Sequence, residues 1–179
     1  MILRGYKAFN KDHTNRYGKP FVENKIYKTE GTLKFGNDGH GFHMAKNLSD
    51  VFRYFDAEHD NISVARVTGF GDFQEYNDEY YGYFDMYVFE YLRVDHFMSR
   101  EEIIATMLKC HSPHLLLHFF QTYPLKEAEK VLFAREFRND REVMPHLLFY
   151  QYGFKDAYDI KSIDQKRLGK VNHHGQNNS

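Results

Sequence analysis

Two histidines stand three residues apart in a glycine-rich stretch, Gly39-His40-Gly41-Phe42-His43-Met44-Ala45. Imidazole titrates near neutral pH, so His40 and His43 have the chemistry of an acid–base pair, and backbone N–H groups freed by the glycines could hold a phosphate. The same residues also suit a glycine-driven turn with two half-exposed histidines, and a His-x-x-His spacing alone selects neither reading. Glu90, within Met86–Val94, is the leading candidate carboxylate. Strand alternation puts Met86, Val88, Leu92 and Val94 on one face with Glu90 among them. A carboxylate there needs a local partner or carries a raised pKa suited to catalysis.

A basic arm supplies a different chemistry. Arg4-Gly-Tyr6-Lys7, Arg16-Tyr17-Gly-Lys19 and Lys25-Ile-Tyr27-Lys28 interleave cations with rings, the combination that single-stranded nucleic acid or a nucleotide requires. Arg4, Tyr6, Lys7, Arg16 and Lys19 are therefore candidate ligand contacts. Solvated strand faces rich in lysine and tyrosine look the same. Cys110-His111-x-x-His114-x-x-x-His118 includes the i, i+4 histidine spacing of a metal clip. Pro113 interrupts it and a site needs further ligands from elsewhere, so a histidine-rich helix end packed on Leu115–Leu117 is expected rather than a metal site. Asp72–Asp85 carries five acids and four tyrosines without EF-hand spacing and reads as an acidic, aromatic connection. The chain has no Gly-x-Ser-x-Gly elbow, P-loop or Rossmann glycine signature.

These groups sit on a chain of 179 residues, 42% apolar and 17% aromatic, with 31 Phe and Tyr, which excludes disorder and suits one ordinary core. The net charge of -1 hides a segregation. Residues 1–35 hold eight Lys/Arg against three Asp/Glu, residues 36–98 four against twelve, and residues 99–179 twelve against ten. Such asymmetry bears on partners rather than on fold. Cys110 is the sole cysteine, so no intrachain disulfide forms. The first residues hold no signal-peptide apolar region, and the longest apolar stretch, Leu115–Phe120, is broken by His118. The expectation is a cytoplasmic protein of a host cell with no membrane partner.

The predicted fold is α+β: a mainly antiparallel sheet with one short helix over residues 1–98, a helical region of three or four helices over 99–168 packed on or beside it, and a disordered tail over 169–179. Strands are expected at Ile2–Phe9, at Phe21–Thr29 and Thr32–Phe35 around a Glu30-Gly31 hairpin turn, at Gly41–Ala45, and at Ile62–Phe70 beside Met86–Val94. Asn47 should cap a helix over Leu48–Phe55. Ser99 and Glu102 form a capping box, Ser112-Pro113 starts a helix that Pro124 ends, Leu125–Arg138 is amphipathic, and Gly153 stops a helix over Pro145–Tyr152.

Arg4-Gly-Tyr-Lys-Ala-Phe-Asn, Tyr17-Gly, the run Gly41-Phe-His-Met-Ala-Lys-Asn-Leu-Ser-Asp-Val-Phe-Arg-Tyr-Phe, the strand at 62–70 and Ser99-Arg-Glu-Glu-Ile-Ile together resemble an uncharacterised domain of phage and mobile-element proteins, over roughly residues 2–105. That resemblance brings no activity. It implies an accessory protein that binds a host protein or RNA without a cofactor, for instance as an antagonist of a defence system such as an RNA-guided nuclease. A second resemblance is to ADP-ribosyltransferase-like proteins, in which Arg4, Gly41, Phe42, Tyr54 and Glu90 would occupy the nicotinamide-pocket positions. It implies the competing expectation, an enzyme using NAD or cleaving RNA with His40, His43, Tyr54 and Glu90 at its site.

Overall fold

A computed structural model describes residues 1–36, 38–54, 61–77 and 85–155, with Arg53, Tyr54 and Asn77 described by backbone alone. The chain divides into two compact units, Met1–Ile103 and Ile104–Ser179. The first unit holds β1 (Ile2–Asn10), β2 (Ile26–Lys28), β3 (Phe42–Ala45), α1 (Leu48–Tyr54), β4 (Ile62–Asn77) and β5 (Asp85–Phe97); α2 (Arg100–Leu108) crosses the division, and α3 (Pro113–Thr122), α4 (Glu127–Glu136) and α5 (Met144–Tyr152) follow. The architecture is α+β, as the alternation and capping signals predict. Among the described residues no helix is long and apolar enough to cross a membrane.

Every strand pairing is antiparallel, in the order β2-β5-β3-β1-β4. β4 also pairs with β5, so β1, β3, β5 and β4 close a ring. Phe9, Met44, Val67, Tyr87, Phe89, Leu92 and Val94 fill its core, joined by Phe21 and Tyr27.

The even alternation expected for β5 is broken at Glu90. Phe70 pairs with Tyr91 but Phe73 with Phe89, so Gly71 and Asp72 stand opposite Glu90 in a bulge. Gly71 takes φ +82 there, a left-handed conformation that suits glycine. The buried set of β5 also changes parity across Glu90: Leu92 and Val94 share the core cluster with Tyr87 and Phe89 rather than with Met86 and Val88. The expected hairpin about Glu30-Gly31 is also absent. β2 pairs with β5, where Tyr27 stands opposite Leu92 in the core and its hydroxyl accepts from the Val22 N–H at 2.9 Å. The chain instead turns back at Gly36, with Lys34 bridging to His40. Asp72–Asn77, read as a connection, extends β4, because its residues continue the ladder with Asp85–Phe89. Residues 78–84 of that segment, and the expected tail at 169–179, lie outside the described residues.

Among the described residues no backbone N–H of α1 donates to the Asn47 side chain, the contact expected of a cap. The Asn47 side-chain amide donates to the buried Asp50 carboxylate at 3.1 Å, and the Asn47 backbone carbonyl accepts the Asp50 N–H. The capping box at α2 is present: Glu102 N–H donates to Ser99 Oγ (3.1 Å) and Ser99 N–H to Glu102 Oε1 (3.3 Å). The same carboxylate lies 2.9 Å from His96 Nε2. In the second unit, Ser112 Oγ accepts from Leu115 N–H, Pro113 opens α3, and Gly153 (φ 73) ends α5. Gln151 fastens these helices. Its amide donates to the Phe120 and Tyr123 carbonyls (2.7 and 2.9 Å) and its carbonyl accepts from Leu125 N–H, over a core that includes Leu116, Phe119, Phe133 and Leu147.

Candidate anion-binding cleft

A cleft of about 550 Å³ opens where β1, the loop before β2, Phe35, Gly36 and residues 39–45 meet. Its first wall is a turn held by one asparagine. Asn15 Oδ1 accepts from the N–H groups of Tyr17 and Lys19, both at 3.0 Å, while the Asn10 amide holds the Asn15 carbonyl at 2.9 Å. An asparagine that accepts backbone donors two and more residues on fixes a tight turn. This one presents Arg16, Tyr17 and Lys19 to the cleft. The facing wall depends on Gly41, at φ +114, where a Cβ would lie 2.4 Å from Val88 Cγ1 and 2.8 Å from Leu33 Cδ2. Only glycine allows the chain to turn there and pass so close to β5.

His40 and His43 both line this cleft. His43 Nε2 accepts from the Gly36 N–H at 3.3 Å, which assigns its proton to Nδ1, 3.3 Å from the Gly41 carbonyl. Burial holds its pKa down to about 4, with Lys7 and Arg16 adding in the same direction. His43 is thus neutral near pH 7, with both nitrogens tying the loop together. Exposed His40 uses Nε2 against the Glu30 carbonyl and the Thr29 hydroxyl, tying 29–30 to 40.

The cleft is cationic. Lys7, Arg16, Lys19 and Lys28 line it, and among the described residues no aspartate or glutamate does. Half-buried Lys7 donates through Nζ to the His43 carbonyl at 2.7 Å. Burial, with Arg16 nearby, pushes its ammonium down to about 8. The Arg16 guanidinium meets the Tyr17 hydroxyl at 2.5 Å. Phe35, beside His43, stacks on Tyr76 with ring centroids 4.2 Å apart and planes 7° from parallel.

Of the sequence candidates, Tyr6, Lys7, Arg16, Lys19, His40, Gly41, Phe42 and His43 meet in this cleft. Glu90 does not line it. It faces a neighbouring hollow with Glu30 and Asp72, 3.8 Å from Lys28 Nζ, its Oε2 3.4 Å from the Asp72 N–H exposed by the bulge. Arg4 lines a third hollow on the other side of Tyr6. Tyr54 ends α1 and its side chain lies outside the described residues. Asn15 and Phe35 are cleft residues that the sequence motifs do not single out. The Asn15-Arg-Tyr-Gly18 turn chemistry was a signal for the first, whereas reading Thr32–Phe35 as a strand obscured the second. His118 Nε2 lies 3.1 Å from His114 Nε2, and among the described residues no group of three or more potential ligands surrounds them.

No curated protein and no solved structure matches the chain. Residues 3–81, somewhat under half the chain, match a family described as a domain of unknown function (DUF7666). The match spans β1 through β4, the strands and loops that build the cleft, and likens them to an uncharacterised domain.

Proposed function

We propose that the chain is a binding protein whose cleft takes single-stranded RNA, phosphates against Arg16, Lys19, Lys28 and Lys7 and a base against Tyr17 or Phe35. The observation that carries this reading is a ring-lined cleft with four cations and no carboxylate among its described residues. Phosphate contacts supply sequence-independent affinity, and a stacked base adds about 1–3 kcal/mol. Binding suits these residues better than cleavage. A general base needs an available lone pair at the reacting proton, but the His43 lone pair is engaged by Gly36, and Glu90 faces another hollow. In the setting that the phage-protein resemblance implies, such a protein captures host RNA or the RNA of a guided nuclease.

The test is titration of a labelled single-stranded oligoribonucleotide across a salt series, with the RNA then run on a denaturing gel. The expected result is saturable binding whose log K falls with log salt by about 0.7 per phosphate contacted, and intact RNA. No binding at moderate salt, or recovery of partners from host lysate that nuclease treatment leaves unchanged, would contradict it. Cleaved RNA would restore the catalytic reading.

A further inference from the structure

A second hollow borders the cleft at Tyr6, the residue the two share. It measures about 540 Å³ and includes Arg4, Lys46, Arg66 and Arg93. The strand register explains the grouping. Tyr6 stands opposite Ala45 on one side and Arg66 on the other, while Arg4 stands opposite Thr68, which in turn faces Arg93. Directly opposed residues and those two apart share a face, so Arg4, Tyr6, Arg66 and Arg93 project together. Part of this charge is already matched: Arg93 is 2.6 Å from Asp95, and Lys46 is 3.9 Å from Asp85. Exposed Arg4 and Arg66 make no ion pair within 4 Å among the described residues, although Arg66 is near enough to Glu102 to help hold that carboxyl below its ordinary range.

The opposite flank has the reverse character. Past Lys28 and Thr29, the hollow of Glu30, Asp72 and Glu90 sets three carboxylates around a single lysine. A polyanion leaving the cleft is repelled on that side and attracted on the other. We infer that the ligand is an oligonucleotide strand which continues from the cleft over Tyr6 to Arg4 and Arg66. This rests on the RNA reading of the cleft and deepens it: the site recognises a run of phosphates rather than one nucleotide, with the Tyr6 ring as the platform between the two hollows.

The experiment compares a uridine mononucleotide with an oligouridylate of about eight residues, inside the ~4–16 nucleotides that single-strand grooves cover. The oligomer is expected to bind at least about tenfold tighter than the mononucleotide, with one further contacted phosphate supplying ~1.4 kcal/mol. Arg4→Ala/Arg66→Ala should cut that ratio several-fold and flatten the salt slope for the oligomer by about 1.4, two contacts at ~0.7 each. Glu30→Gln/Asp72→Asn should not weaken the oligomer. Equal affinity for the two ligands, or a double arginine variant with the full length dependence and slope, overturns the extended path while leaving the cleft reading standing. Failure of both ligands to bind removes the cleft reading and this inference with it.

Discussion

The cleft and the hollow that holds Glu90 share Lys28 and Thr29 as a common border, yet they differ in almost every other respect. In the cleft, cations surround rings and a neutral histidine, and the backbone is held by Asn15, Gly41 and His43. In the hollow, carboxylates gather at a β-bulge, and Glu90 offers its oxygen to the N–H that the extra residue leaves outside the ladder. The first arrangement gathers positive charge around aromatic rings, while the second satisfies the fold's own irregularity. The basic first 35 residues supply all four cations of the cleft, and the acidic segment after them supplies two of the hollow's three carboxylates, so two neighbouring surfaces differ in sign. A ligand's charge then decides which one it meets.

Reversing the charge of the cleft should produce the largest effect. Arg16→Glu/Lys19→Glu is expected to lower RNA affinity on the order of a hundredfold, two charged contacts at about 1.5 kcal/mol each, in fluorescence anisotropy. Gly41→Ala comes next and acts on the wall. The strained φ and the contacts with Val88 and Leu33 should lower unfolding free energy by about 2–4 kcal/mol in urea titration.

A smaller effect follows from Lys7. In the folded protein its ammonium loses its proton near pH 8, against an ordinary value of 10.5. Between these values the unfolded chain binds more protons, so folding stability contributed by this group rises with pH across that window. Binding of an anion runs the other way, because phosphate favours the charged amine. RNA affinity should fall several-fold from pH 7 to pH 9, and Lys7→Arg should flatten that profile. The smallest effect is expected on the other side of the border. Glu90→Gln keeps an acceptor for Asp72 and loses only a long pair with Lys28, so stability should change by no more than about 0.5 kcal/mol in the same urea titration. Its RNA affinity should not fall, whereas a large loss would erase the distinction between the two regions.

Local chemistry made much of the fold legible in advance. The Ser99/Glu102 box, Ser112-Pro113 and Gly153 each act within a few residues and appear as expected. The pairing of β4 with β5 also followed from their β-branched and aromatic runs. What escaped the sequence depends on distant partners. The bulge at Glu90 exists because Gly71-Asp72 on another strand adds length, and no alternation within β5 could reveal the slip. Likewise β2 is chosen by Leu92 rather than by the Glu30-Gly31 turn. Along the sequence the candidate site lies in two separate pieces, the basic arm and the glycine–histidine stretch. Only the pairing of β1 with β3 brings Lys7 onto the His43 carbonyl and joins them.

Photo-crosslinking of a thiouridine-substituted oligoribonucleotide, followed by peptide mass spectrometry, tests the central claim most directly. Adducts on Tyr6, Tyr17 or Phe35, lost in Arg16→Glu/Lys19→Glu, are the predicted result. Adducts confined to the segments around Glu30, Asp72 and Glu90, or to the second unit, would contradict it.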